Sequence, residues 1–150
     1  MTIISFALVS VNFTLLLMLS AMHFYWAFGG KAGFDKAIPT NVEGAQMLQP
    51  GKTACIVVAL FLAGFALLFL DTIDVIHVAM PGWLHRYSVY GASIIFLFRA
   101  IGDFKYVGFT KKITNTEFGS LDTRYYSPLC LLIGLNGVVL EMMLKMSPKI

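Results

Sequence analysis

Charge is scarce in this chain. Asp, Glu, Lys and Arg together make up 13% of the 150 residues, against 58% hydrophobic and 14% aromatic, where an ordinary soluble domain carries about 25% charged residues. With a mean hydropathy of +0.78, the composition excludes a typical water-soluble enzyme and makes lipid the natural solvent. Cysteine is scarce too. Cys55 and Cys130 form no CxxC pair, so thiol–disulfide chemistry has no support, and small buried hydrophobes are the better reading.

Other absences narrow the field further. The first apolar run has no basic segment before it, is long for a secretory signal and carries Asn12 in its middle, so we expect it to be retained as a helix. No nucleophile elbow, HExxH motif or complete phosphate loop is present; the nearest approach, "YVGFTKK" at 106–112, lacks the rest of the Walker pattern. Only three histidines are present, and His23 is expected at one membrane face with His77 and His85 at the other. No pair of them matches in depth, which disfavours a transverse bis-histidine haem. No solenoid repeat, low-complexity tract or second domain interrupts residues 1–150.

What is present is a set of four apolar segments. Each has about the 17 to 25 residues needed to cross a hydrocarbon core as a helix. The predicted helices run over 3–28, 53–78, 83–104 and 128–146, giving an all-α, integral membrane, antiparallel four-helix bundle. The second is expected to project beyond the bilayer, because "DTIDVIHVAMPG" contains no breaker before Pro81, which would leave Asp71, Asp74 and His77 in headgroups or water. Trp83, Tyr87 and Tyr90 suit an aromatic belt. Ala59, Ala63, Gly64, Gly91, Ala92, Gly134 and Gly137 are expected to let helices approach closely.

The formal net charge is +3, but its distribution matters more than its sum. Lys31, Lys36, Lys52, Arg99, Lys105, Lys111, Lys112 and Arg124 fall at the first and third loops, leaving only Arg86, Lys145 and Lys149 for the other side. The positive-inside rule therefore predicts a cytoplasmic first and third loop, with both termini external. Nucleic acid is not an expected partner. Lys111 and Lys112 read as a polybasic lipid contact.

Polar groups in lipid need a reason. Arg99 stands about 9 Å inside the marker set by Lys105, and Asp103, four residues on, has the spacing of a helical ion pair. His23, Trp26 and Gly30 share one face of the first helix with Asn12. The topology brings His23, Tyr25, Trp26, Arg99, Asp103, Asp122, Arg124 and Tyr125 to one end, with Glu43 in a nearby loop. Of these, His23, Trp26, Arg99, Asp103, Asp122, Arg124 and Tyr125 are the candidate ligand-binding residues. Proton transfer there would use His23 with Asp103 or Glu43. At the opposite end Asp71, Asp74 and His77 are poorly phased for three-point metal coordination, and His85 could join them only if the turn at Pro81 and Gly82 folded it back, so no metal site is expected.

The phrases "HFYWAFGG" at 23–30, "RAIGDFKYVGFTKK" at 99–112 and "LDTRYYSPLCLLIG" at 121–134 resemble a widespread bacterial family of small four-helix membrane proteins, catalogued as a domain of unknown function. The resemblance covers essentially the whole chain. It implies a bacterial inner-membrane bundle and directs attention to His23, Trp26, Gly29, Gly30, Arg99, Gly102, Asp103, Asp122, Arg124, Ser127 and Pro128. It implies no activity.

The leading expectation is a cytoplasmic-face site that binds, and could transform, a lipid-like or amphipathic small molecule, with no cofactor. The alternatives are an accessory or assembly subunit, as a homo-oligomer or with a partner membrane protein, and a haem- or quinone-linked redox protein.

Overall fold

A computed structural model describes residues 2–146 of the chain. The expected position of Lys149 lies outside the described residues. Four long helices, α1 (Ile3–Ala27), α2 (Lys52–Asp71), α3 (Gly82–Ile101) and α5 (Ser127–Met146), dominate, with the short α4 (Glu117–Leu121) leading through a π-helical turn at Asp122–Tyr126 directly into α5. No strand occurs among the described residues; a single bridge joins Thr40 and Gln46 in the first loop. α1, α2 and the continuous helical stretch Glu117–Met146 are each long and apolar enough to cross a membrane. This is an all-α membrane protein.

The bundle consists of two tight pairs. α1 packs most extensively on α2 and α3 on α5, while α1 also meets α5. Residue pairing shows that these contacts are antiparallel: Ser93 lies by Gly137 and Leu97 by Gly134, so α3 ascends as α5 descends. Outward faces carry Phe6, Met18, Leu60, Phe61, Phe98 and Leu135, all exposed, as lipid-facing surfaces should.

The inward face of α1 is less apolar than its outward face. Its buried residues are Ser5, Val9, Asn12, Leu16, Ser20 and Ala27, at the three-to-four spacing of a helix stripe. Polar atoms on this stripe reach backbone on neighbouring helices: the Asn12 amide donates to Ile133 O at 3.0 Å, and Ser20 Oγ donates to Ala59 O at 2.8 Å. Asn136 in turn donates to Asn12 Oδ1 at 3.2 Å. Asn12→Leu is expected to destabilise the bundle by about 1 kcal/mol, the usual scale for an interhelical hydrogen bond in a membrane protein. SDS-driven unfolding of the purified protein would measure it, and an unchanged midpoint would show that the seam holds without Asn12.

Close approach is concentrated on α5. A side chain at Gly137 would run into Ser93 Oγ and come within 3.1 Å of Phe69, and one at Gly134 would meet the Leu97 side chain at 2.7 Å. Ala59 and Ala92 are buried as expected. Gly64 and Gly91 are not packing positions, since both face open space.

Two helix ends differ from expectation. α2 stops at Asp71 rather than near 78, because Asp71 accepts a hydrogen bond from Val78 N at 3.0 Å while Asp74 takes a positive φ of 56°. Asp tolerates that left-handed conformation better than most residues, and the chain turns back there. Asp71 is buried, whereas Asp74 and His77 are exposed. α3 ends at Ile101 rather than near 104, because Gly102 adopts φ 95° and leaves the helix. The last helix begins before 128, through α4 and the π turn. Pro128 has no N–H for the carbonyl one turn back, and the widened turn immediately before it accommodates the missing bond.

Candidate functional site

A cavity of about 400 Å³ opens at the end of the bundle where α1 finishes and α2 starts. α1 contributes Leu19, His23 and Trp26; α2 contributes Ala54, Cys55, Val58 and Leu62; α3 adds Phe96 and Arg99. Leu129 and Cys130 of α5 and Tyr126 of the π turn complete the inner wall. Phe34, Ala37, Ile38 and Pro50, from the loop between α1 and α2, cover it. The volume lies in the range that holds small-molecule ligands.

The loop is tied down from both sides. Trp26 Nε1 donates to Ala32 O at 2.9 Å, and the indole meets Phe34 edge-on with centroids 5.7 Å apart. Lys36 pairs with Glu117 of α4 at 2.8 Å on the surface. The Glu117 hydrogen bond and charge raise the Lys36 pKa above the ordinary lysine value. Gly30 lies against the Tyr25 ring, and a side chain there would push that ring aside. Tyr25 itself is exposed.

Beside the cavity, Asp122 forms a buried ionic hub. Its side chain is fully buried; Oδ1 accepts from Arg99 Nη2 at 2.9 Å, and Oδ2 accepts from Lys111 Nζ at 2.9 Å, Gly108 N at 2.8 Å and Ser127 Oγ at 3.0 Å. Lys111 also donates to Gly108 O and Thr123 Oγ1. A carboxylate shared by two cations and two further donors is well satisfied. The guanidinium is not: Arg99 Nη1 is buried and has no hydrogen-bond partner.

Several expectations need correction. Arg99 does not pair with Asp103, because the helix has already ended at Gly102; Asp103 is exposed and its Oδ1 accepts from the N–H groups of Lys105, Tyr106 and Val107 at 2.7 to 2.9 Å. Slight burial pushes the Asp103 carboxyl up, but these backbone donors prevail and hold it below the usual carboxylate range. Lys111 is not a lipid-facing cation like the exposed Lys112; it is buried against Asp122. Arg124 and Tyr125 are exposed and stack on each other, guanidinium to ring centroid 5.3 Å, outside the cavity. Tyr126 takes the lining position instead.

The structure thus brings His23, Trp26 and Arg99 to one cavity and places Asp122 directly behind Arg99, while Asp103 and Glu43 lie elsewhere on the exposed loops. No carboxylate lines the cavity among the described residues, so the pairing of His23 with Asp103 or Glu43 for proton transfer is not assembled. His23 Nδ1 lies 2.8 Å from Leu19 O. A carbonyl only accepts, so Nδ1 carries the hydrogen and the neutral ring keeps its lone pair on Nε2. The sequence reading missed Tyr126 as a lining residue; Cys55 of α2 and Cys130 of α5 also line the cavity.

At the opposite end, the turn at Pro81 and Gly82 does fold His85 back, and its Nε2 lies 2.7 Å from Asp71 Oδ2. Nearby, Lys145 sits over the Tyr90 ring, 4.4 Å from its centroid. Among the described residues no group of three or more His, Cys, Asp or Glu is gathered for a metal ion.

Residues 16–136 match the family described as "Protein of unknown function (DUF3995)". No curated protein and no solved structure matches the chain.

Proposed function

The chain belongs to that family, whose description carries no activity, and we propose from the geometry that its cavity binds the polar head of an amphipathic small molecule. The observation that carries this reading is Arg99, a cation in the wall of a cavity lined mainly by apolar side chains, whose Nη1 is buried with no acceptor of its own. Leaving such a donor unsatisfied costs about 1 to 3 kcal/mol or more. A ligand head carrying negative charge would meet the Arg99 cation while its chain extends along Leu19, Val58 and Leu62. Binding is better supported than transformation, because the cavity offers one imidazole and no carboxylate partner for it.

The cation bias orients this end toward the cytoplasm, and the resemblance in sequence suits a bacterial inner membrane. Full-length protein purified in mild detergent and analysed by native mass spectrometry should retain a small amphiphile at near-stoichiometric level. Val58→Trp, which fills the cavity from α2, should lose most of it while unfolding normally. Equal retention by the variant would place the amphiphile on the outer surface, and a stoichiometric partner protein in place of a small molecule would favour the accessory-subunit reading.

A further inference from the structure

Resting on that reading of the cavity, we infer that its ligand exchanges sideways with the bilayer, through a slot between α2 and α3, and that the loop between α1 and α2 is a fixed roof over the site. The ligand is thus an amphiphile dissolved in the leaflet nearest the first and third loops, and it reaches the cavity without passing through water.

The mouth is located by exposure. Of the residues that line the cavity, only Ala54 and Val58 are exposed. They stand one turn apart on α2, a helix apolar enough to cross a membrane, so the opening follows one stripe of that helix. Phe65 lies two turns further along the same stripe, and its ring meets Phe96 of α3 edge-on with centroids 6.3 Å apart. The mouth therefore faces α3; the side toward α1 is marked by Ala59, whose carbonyl accepts from Ser20. On α3, Arg99 follows Phe96 by one turn, lines the cavity and keeps 34% of its side chain exposed. α2 packs far less on α3 than on α1. The two helices are joined by the aromatic pair and part beyond it, with Ala54 and Val58 on one lip and Arg99 on the other.

The roof has no such opening. Phe34, Ala37, Ile38 and Pro50 are all buried or half-buried. The loop is held where Trp26 Nε1 donates to Ala32 O at 2.9 Å, Lys36 pairs with Glu117 at 2.8 Å and Tyr126 Oη donates to Lys36 O at 3.4 Å. Drawing an alkyl chain out through water also costs free energy for every methylene exposed. Through the slot the chain stays in lipid while only the head moves to Arg99.

Cys130 reports what arrives. It falls on the stripe of α5 that carries the buried Ser127, Gly134 and Gly137, yet it is only half-buried because the cavity lies beside it. The test uses full-length Cys55→Ala protein in phosphatidylcholine vesicles, with SDS-unfolded protein as the standard for complete labelling. N-pyrenylmaleimide, which partitions into the bilayer, should label Cys130, and a disulfonated maleimide present on both sides of the membrane should not. Ala54→Trp, at the lip, should slow the pyrene reagent at least about tenfold, the factor expected when a passing group must force a packed ring aside. Leu60→Trp, which adds the same ring to an exposed position of α2 away from the stripe, should leave the rate unchanged. A water-soluble carbodiimide joins Lys36 to Glu117 as an amide and pins the roof, with Glu117→Gln as the control that cannot be joined; pinning should also leave the rate unchanged. Labelling that pinning abolishes, labelling by the disulfonated reagent at a similar rate, or no labelling by either reagent overturns the lateral route. The cavity reading survives these outcomes as long as the amphiphile is still retained and is lost in Val58→Trp. Pyrene labelling indifferent to both Ala54→Trp and Val58→Trp means that Cys130 is not reached through the cavity, and overturns both.

Discussion

Asp122→Asn is expected to destabilise the protein by about 3 to 5 kcal/mol, the range for removing one partner of a buried ion pair. The two side chains have nearly the same shape, so the loss would report on charge rather than on a cavity. Lys111 has only 1% of its side chain exposed and Asp122 none; without the carboxylate, the buried Lys111 faces Arg99, 34% of whose side chain is exposed, across an amide. Whichever way the amide is placed, its NH2 replaces one accepting oxygen and points at a donor: Arg99 Nη2 at the Oδ1 position, or Lys111, Gly108 N and Ser127 Oγ at the Oδ2 position. Thermal or SDS unfolding would measure the loss. Adding Lys111→Met to Asp122→Asn should restore a large part of it, because the apolar stem is kept and one uncompensated charge is removed. Additive losses in the double variant would show that repulsion between Lys111 and Arg99 is not the cause.

The hub was only half legible in the sequence. Arg99 and Asp122 could both be assigned to one end, because they flank the same third loop, one of the two where cations collect. Their pairing could not be read, since Asp103 has the right local spacing and Asp122 is far along the chain. The deciding residue is Gly102. With φ at 95° it ends α3 one residue before Asp103, so the periodicity that put Asp103 beside Arg99 no longer applies. The run "TKK" likewise gives no sign that its first lysine turns inward while the second stays outside.

The π turn explains the exchange of Tyr125 for Tyr126. Topology alone placed Tyr125 at this end, from a stretch expected to be loop up to 128; the stretch is helical instead. Since each residue added to a turn rotates the following side chains by about 100°, the π turn decides which tyrosine faces the cavity. Pro128 was visible and marked the region, but proline at a helix start is common, and nothing distinguished a start from a continuous helix that widens. The apolar spans, the inward place of Asn12 on α1 and the gathering of His23, Trp26 and Arg99 were legible because they depend only on regular helices and topology. The covering loop was not, since Phe34, Ala37, Ile38 and Pro50 reach the cavity through an irregular path with no period to read.

Gly108→Ala is expected to cost on the order of 3 kcal/mol, from two sources that can be separated. Gly108 has φ 85°, where an L side chain is strained. A Cβ there would also fall on the backbone of Ile101 and Gly102, and those atoms cannot move away as a flexible side chain could. Gly44 has a nearly identical φ of 83° but no atom within 4 Å of the same position, so Gly44→Ala isolates the conformational part, about 1 kcal/mol. The remainder belongs to the close approach of the loop to the end of α3. That approach puts Phe109 N 2.8 Å from Ala100 O and Gly108 N 2.8 Å from Asp122 Oδ2. Forcing the loop outward would therefore remove a donor from the buried carboxylate and loosen Lys111 with it. Unfolding midpoints of Gly44→Ala, Gly108→Ala, Asp122→Asn and the Gly108→Ala, Asp122→Asn double variant test this coupling. Losses at 108 and 122 should fall well short of additive, because each disrupts the same hub; full additivity would mean that the loop and the ion pair hold independently.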